Sequence, residues 1–321
     1  MSQVDRSHQI DHAVALLRAG ELIGLPTETV YGLAADANNA LAVKQIFLLK
    51  GRPADHPVIV HIADSDSLSD WAQIDTDQVW RLAEAFWPGP MTLVLPKQPE
   101  VDAGITAGQQ TVAVRVPSHP VAQQVLHQFG GGVAAPSANR FGRISPTRAE
   151  HVRDEFGESI KLVLDGGGCE IGLESTILSL IEGPELLRPG SISKQQLETV
   201  LEEPVSFSNR LSQRAPGLLD RHYAPRTPAW LIAADDIAAQ LVASDVTQKR
   251  VGLVQFSEID FECTMVERLA CAPAGYSQQL YAALRRLDSA GLDLIIVERP
   301  PVTPAWLAVN DRLSRATRPV V

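Results

Sequence analysis

The chain has 321 residues, 45% of them apolar and 21% charged, the composition of an ordinary globular protein with room for two domains. Its 28 Lys+Arg against 38 Asp+Glu leave a net charge of -10, which repels polyanions at long range and disfavours a nucleic-acid-coating role. The three cysteines have no metal-type spacing and fit a reducing, cytosolic setting, and no apolar run reaches the roughly 18 residues of a membrane span.

In chain order, IDHAVALLRAG predicts a helix stopped at Gly20, and ELIGLP a short strand. The stretch PTETVYGLAADA, Pro26 to Ala37, reads as neither. It is expected to form a polar loop at a strand end, its start stiffened by Pro26 and its sharp exit allowed by Gly32. NALAVKQIFLLKGRP predicts a helix ended by Gly51 and Pro53, followed by the strand HPVIVHI. A helix in DTDQVWRLAEAFWPGP, strands MTLVLP and TVAVRVP, and a helix in HPVAQQVLHQFG come next. The strand GVAAPSAN, a helix after SPT, and strands KLVLD, STILSLI and ELLRP complete the alternation. Strands adjacent in sequence imply a large twisted mixed sheet rather than a purely parallel one.

SKQQLETVL predicts a helix whose Ser193 and Gln196 have capping-box spacing. After it the periodicity breaks through a proline-bearing stretch, and a second cycle begins: strand AWLIA, helix DDIAAQLVA, strand RVGLVQF, helix SQQLYAALRRLDSAG, strand LDLIIVERP and helix PAWLAVNDRLSRAT. The expected organisation is a catalytic domain over 1–205, a linker over 206–228 and a smaller Rossmann-like α/β domain over 229–321.

Neither GxxxxGK[ST] nor GxGxxG occurs, and each GGG run, Gly130 to Gly132 and Gly166 to Gly168, reads as a turn. Lys50 and Arg52 close a helix, where the macrodipole alone favours cations, and His61 lies in an apolar strand. Arg115 stands inside TVAVRVP, where a guanidinium needs an anion: a structural ion pair, or a ligand's carboxylate or phosphate. Ser137 lacks a GxSxG elbow, which argues against a serine hydrolase, and Ser145 or Thr147 serve singly as helix caps. Thr29, His61, Arg115, Ser137, Ser175 and Arg188 all fall at the edges of apolar strands, the pattern of a sheet-edge ligand pocket.

The segments PTETVYGL, KGRP with HPVIVHI, WPGPMTLVL, TVAVRVP, APSAN with SPT, EST and LLRPG, in this order, resemble the YrdC/Sua5 family of threonylcarbamoyl-AMP synthases. APGLLDRHYAP and the region after it look like the longer Sua5 type, so the resemblance covers almost the whole chain. It implies a YrdC-like domain and a Sua5 C-terminal domain. It also implies that L-threonine, bicarbonate and ATP, with Mg²⁺, give threonylcarbamoyl-adenylate and pyrophosphate, the product passing to a transferase that modifies adenosine 37 of ANN-decoding tRNAs.

Carried over by position, Thr29, His61, Arg115, Ala135 and Ser175 would touch threonine, and Lys50, Arg52, His56, Thr111, Ser137, Ser145, Arg188 and Tyr223 would touch ATP. Lys50 and Arg52 would stabilise phosphate charge, and Tyr223, in the HYAP segment, would belong to a lid over the nucleotide. His56 stands where the family commonly has asparagine; packing support is the expectation for Glu28 and Tyr31. Two other readings are an RNA-binding module, which the acidic charge disfavours, and a carbamoyl-adenylate activity like that of hydrogenase-maturation proteins, whose zinc-type CxxC spacing is missing.

Overall fold

The computed structural model describes residues 3–208, 223–243, 249–259 and 262–318. Two compact units share the chain: Met1–Phe141, Pro146–Glu170 and Glu174–Leu218 form the first, and Gly142–Ser145, Ile171–Leu173 and Leu219–Val321 the second. Most of the expected linker, residues 209–222, lies outside the described residues.

The first unit opens with α1 (Gln3–Arg18), β1 (Ile23–Leu25), β2 (Gly32–Asp36), α2 (Ala40–Lys50) and β3 (Ile59–His61). Next come α3 (Gln78–Phe86), β4 (Met91–Pro96), α4 (Ala103–Thr106), β5 (Thr111–Arg115), α5 (Pro120–Phe129) and β6 (Val133–Ala134). It closes with α6 (Ala149–Phe156), β7 (Leu162–Val163), β8 (Thr176–Ser179), β9 (Glu185–Arg188), α7 (Lys194–Leu201) and β10 (Ser206–Phe207). The strands make one sheet in the order β10-β9-β8-β4-β5-β3-β6-β2-β1-β7. It is mixed, as the sequence implies: β3 runs parallel to β5 and β4 to β8, while β4–β5 and β8–β9 are antiparallel.

Strand alternation sends successive side chains to opposite faces. On one face Val43, Ile46, Leu82, Val152 and Leu197, from α2, α3, α6 and α7, cover Leu33, Val60, Leu93, Val114 and Leu178. On the other, Ile10, Val14 and Leu17 of α1 and Val121, Val125 and Leu126 of α5 cover Ile23, Leu25, Ala34 and Val133. Further along that second face Ile59, Val94, Ala113, Ile177 and Leu187 make a separate apolar cluster that contains no helix residue.

The expected loop over Pro26 to Ala37 is half strand. GLAAD forms β2, buried nearly throughout, and a strand covered on both faces shows no polar alternation for a sequence reading to find. Gly32 has no positive φ; a Cβ there would come 3.1 Å from the Ala135 Cβ, so the glycine permits close approach rather than a sharp exit. The capping box is present, with the Ser193 side chain accepting from Gln196 N and the Gln196 side chain accepting from Ser193 N. Ser145 and Thr147 do not cap α6, whose N-cap is Arg148.

The second unit carries β11 (Ala229–Ile232), α8 (Ile237–Ala243), β12 (Val251–Gln255), β13 (Met265–Arg268), α9 (Pro273–Ser289), β14 (Leu294–Glu298) and α10 (Leu307–Ala316). Its four strands are all parallel, in the order β11-β14-β12-β13, around Ile232, Ile237, Val251, Leu253, Leu294 and Ile296. The sequence reading missed β13: MVER is an edge strand that is half-exposed along its length. The segment 142–145 belongs to this unit, held by Arg143 Nη2 to Asp288 Oδ2 at 3.0 Å and by Ala224 N donating to Gly142 O at 2.9 Å.

Candidate active site

Register brings the strand-edge polar residues of the first unit together. His61 is the Cα partner of Arg115, Leu93 pairs with Val114 and Met91 with Thr176, and Ile177 pairs with Arg188. These pairings align the last residue of β3, the last of β5, the first of β4 and the first of β8 at one end of the sheet. Alternation then settles the face: His61 shares it with Ile59, Arg115 and Thr111 with Ala113, Thr92 with Val94, and Ser175 with Ile177. Those four apolar residues belong to the cluster that contains no helix residue. A polar rim on an apolar floor results, the composition of a small-molecule site.

The loop after β1 supplies the next layer. Thr27 Oγ1 donates to Val30 O at 2.6 Å and accepts from Val30 N at 3.2 Å, a side-chain-closed turn that fixes residues 27–30. Thr29 Oγ1 thereby accepts from Arg115 Nη1 at 2.8 Å, while Arg115 Nη2 meets Glu28 Oε1 at 2.5 Å and Nε donates to Gly89 O at 3.1 Å. Arg115 and Glu28 are both 3% exposed. The structural ion pair and the ligand clamp are therefore not alternatives for Arg115: its anion within the protein is Glu28, and N–H groups remain for another.

His61 is buried beside this pair. Burial first, and the Arg115 charge second, pull its pKa down to about 3, so the ring is neutral. The unfolded chain takes up this proton near 6.5 and the folded one near 3, so stability present above pH 6.5 is lost as pH falls through that window. The expected contribution to the slope is about 1.4 kcal/mol per pH unit. Urea midpoints at pH 7 and pH 5 check this: the wild type loses more stability over the interval than His61→Asn, and equal losses would refute it.

A second cluster adjoins the first. Ser175 Oγ lies 2.8 Å from Thr92 Oγ1 and accepts from Arg188 Nη2 at 3.0 Å, while Arg188 Nε donates to Ser175 O at 3.0 Å. Gly190 keeps this corner closed, because a Cβ there would stand 2.4 Å from Thr176 N.

Lys50 arrives by way of a helix end. Asn39 caps the start of α2, accepting from Leu41 N and Ala42 N at 3.1 Å each, and Gly51 in the left-handed region stops it. The buried Lys50 Nζ donates to Ser137 O at 2.5 Å and Asn139 O at 2.6 Å. Burial, then Arg52, hold its pKa well below the lysine range. Arg52 Nη2 donates to Pro57 O at 2.7 Å, and His56 lies 3.6 Å from Asp55 with its ring edge-on to Phe141.

Ser137 bridges to Gly32, and Ala135 N donates to Ile59 O at 3.1 Å, so both sit beside the loop and β3. Tyr31 supports the 165–168 turn, its hydroxyl donating to Gly167 O at 2.8 Å and accepting from Gly166 N at 3.1 Å. The support roles expected for Glu28 and Tyr31 are thus seen. Thr92 and Gly89 were not foreseen; the signal for Thr92 was a hydroxyl inside the apolar run MTLVLP.

Ser145 and Tyr223 fall in the second unit. Arg285 donates to Ser145 O at 3.4 Å, and Tyr223, with φ 62, is buried there, stacked on Tyr281 at 5.8 Å with the Arg312 guanidinium 5.5 Å from its ring. His222, the first residue of HYAP, lies outside the described residues. Among the described residues no group of three or more His, Cys, Asp or Glu could hold a metal ion, and no helix is long and apolar enough to cross a membrane.

A family model described as "Telomere recombination" (Sua5_yciO_yrdC) matches residues 15–190, and one described as "Threonylcarbamoyl-AMP synthase, C-terminal domain" (Sua5_C) matches residues 192–317. The chain belongs to the Sua5 family. Threonylcarbamoyl-AMP synthase of Bacillus subtilis (strain 168) is 41% identical, the match covering 96% of this chain and 92% of that protein. That of Pyrococcus abyssi (strain GE5 / Orsay) is 39% identical, over 95% and 93%. The crystal structure of P. abyssi Sua5 complexed with L-threonine superimposes with a TM-score of 0.90 at 38% identity, covering 96% of this chain and 93% of that one. The likeness spans both units, so Sua5 proteins are the whole-length relatives of this chain.

Proposed function

We propose that the protein is a threonylcarbamoyl-AMP synthase: L-threonine and bicarbonate form a carbamate with loss of water, and a carbamate oxygen attacks the α-phosphorus of ATP, expelling pyrophosphate. The product is then handed to a separate transferase that places it on adenosine 37 of ANN-decoding tRNAs, in the cytoplasm. The observation that carries this reading is Arg115, a buried guanidinium with N–H groups left over beside Thr29, in a chain similar along its length to a Sua5 described as complexed with L-threonine.

In this reading Arg115 holds the substrate carboxylate, with Thr29, His61, Ala135 and Ser175 around it. Lys50, Arg52 and Arg188, with His56, Thr111 and Ser137, face the triphosphate. An anionic carbamate must approach an anionic phosphate, so fixed positive charge offsets the repulsion and positioning does the remaining work. A lining of cations and hydroxyls fits the anionic phosphates rather than a resident metal, so Mg²⁺ would enter bound to the phosphates of ATP, as part of the substrate. Stable direct RNA binding is no part of the reading.

Pyrophosphate release that requires ATP, L-threonine and bicarbonate together is the expected result. Release with carbamoyl phosphate in place of threonine and bicarbonate would replace this reading with the hydrogenase-maturation type of activity. Thr29→Ala is expected to raise KM for threonine about tenfold, the value of one hydrogen bond to a charged group, with KM for ATP nearly unchanged. Equal rises in the two would remove Thr29 from the threonine subsite.

A further inference from the structure

Glu28 presents a buried carboxylate oxygen that no group among the described residues bonds. The residue is 3% exposed, Oε1 accepts from Arg115 Nη2 at 2.5 Å, and Oε2 has no hydrogen-bond partner among the described residues. A buried ionised oxygen is costly to leave without a donor, and burial so close to a proposed substrate subsite points to a donor that arrives with the ligand. Arg115 is complementary. Of its five N–H groups three are used, on Gly89 O, Thr29 Oγ1 and Glu28 Oε1, which leaves two. A guanidinium with two unused donors, in contact with a carboxylate that has an unused acceptor, matches the head of a zwitterionic amino acid, whose carboxylate and ammonium hang on one carbon.

We propose that Glu28 receives the α-ammonium of the amino-acid substrate through Oε2 while Arg115 holds its carboxylate. The inference rests on the proposed use of threonine and adds the contact that distinguishes an α-amino acid from a plain hydroxy acid. It also gives the ion pair a second purpose. Arg115 holds Glu28 in place, and the pair as a unit sets the direction in which the amine faces.

Calorimetric titration of L-threonine and of 3-hydroxybutyrate, which is threonine without its amine, tests it on the full chain. The wild type is expected to prefer threonine by on the order of thirtyfold, the worth of a hydrogen bond between charged groups. Glu28→Gln is expected to erase that preference, weakening threonine while leaving 3-hydroxybutyrate unchanged or tighter. Weakening of both ligands by the same factor would mark Glu28 as a purely structural partner of Arg115 and overturn the proposal, with the threonine reading intact. Equal affinity of the wild type for the two ligands overturns it without any variant. No binding of threonine to the wild type would overturn the threonine reading as well.

Discussion

Arg115→Ala is expected to destabilise the protein by about 3–5 kcal/mol, as loss of one partner of a buried ion pair does, and to abolish threonine-dependent pyrophosphate release. The cost is not the lost attraction alone. Glu28, 3% exposed, would be left as a buried carboxylate with no cation, and Thr29 Oγ1 and Gly89 O would each lose their donor from Arg115. Thermal melting of the variant checks the first part, and a double-mutant cycle isolates the pair. Glu28→Ala/Arg115→Ala should be less destabilised than the sum of the single variants, because removing both charges leaves neither unpaired. Arg115→Lys should restore part of the stability and little of the activity, since one ammonium cannot reproduce three bonds fixed in a plane. A loss under about 1 kcal/mol, the surface-pair range, would show that the pair is solvated in solution.

The fold was legible where a run rich in β-branched residues ends at a proline, or where a cap has its spacing. TVAVRVP and LDLIIVERP became β5 and β14, and the cap at Ser193 formed as spaced. Legibility failed where a buried strand is built of small residues with no β-branched side chain, as in GLAAD, and where an edge strand leaves half its residues in solvent, as in MVER. The site followed the same division. Arg115 announced itself as a charge in an apolar run, but its partner did not: Glu28 is 87 residues away in sequence, and only the β3–β5 register and the Thr27 turn bring the two together. Thr92 and Ser175 are 83 residues apart and meet through β4–β8 pairing, which no local pattern encodes. Ser145 read as a helix cap because serine before a helix usually is one. The helix starts three residues later than that reading needs, and residue 145 belongs instead with the second unit.

Lys50→Met carries the other large effect. The thioether keeps the length and apolar stem of the side chain but donates nothing, so Ser137 O and Asn139 O lose the ammonium that ties the APSAN segment to the end of α2. Ser137 O keeps its bond from Asn139 N at 3.0 Å, so the cost is that of two lost hydrogen bonds, about 0.5–1.5 kcal/mol each, and loss of a charge at a phosphate lowers turnover on the order of a hundredfold to a thousandfold. A sharper signature lies in the proton. Burial and Arg52 depress the pKa of Lys50, so the protein's own groups discourage its charge, whereas the triphosphate of ATP would restore it. The bound state then holds the proton more tightly than the free state, and binding takes up protons at pH values above the depressed pKa. ATP affinity should therefore fall as pH rises from that value toward lysine's ordinary 10.5. Titration of ATP in buffers of different ionisation enthalpy reads the proton uptake directly, and subtracting the Lys50→Met value removes the contribution of the nucleotide's own phosphates. A positive difference assigns the proton to Lys50; identical uptake by the two proteins would place the triphosphate away from this ammonium and leave Lys50 as a tether for residues 137–139.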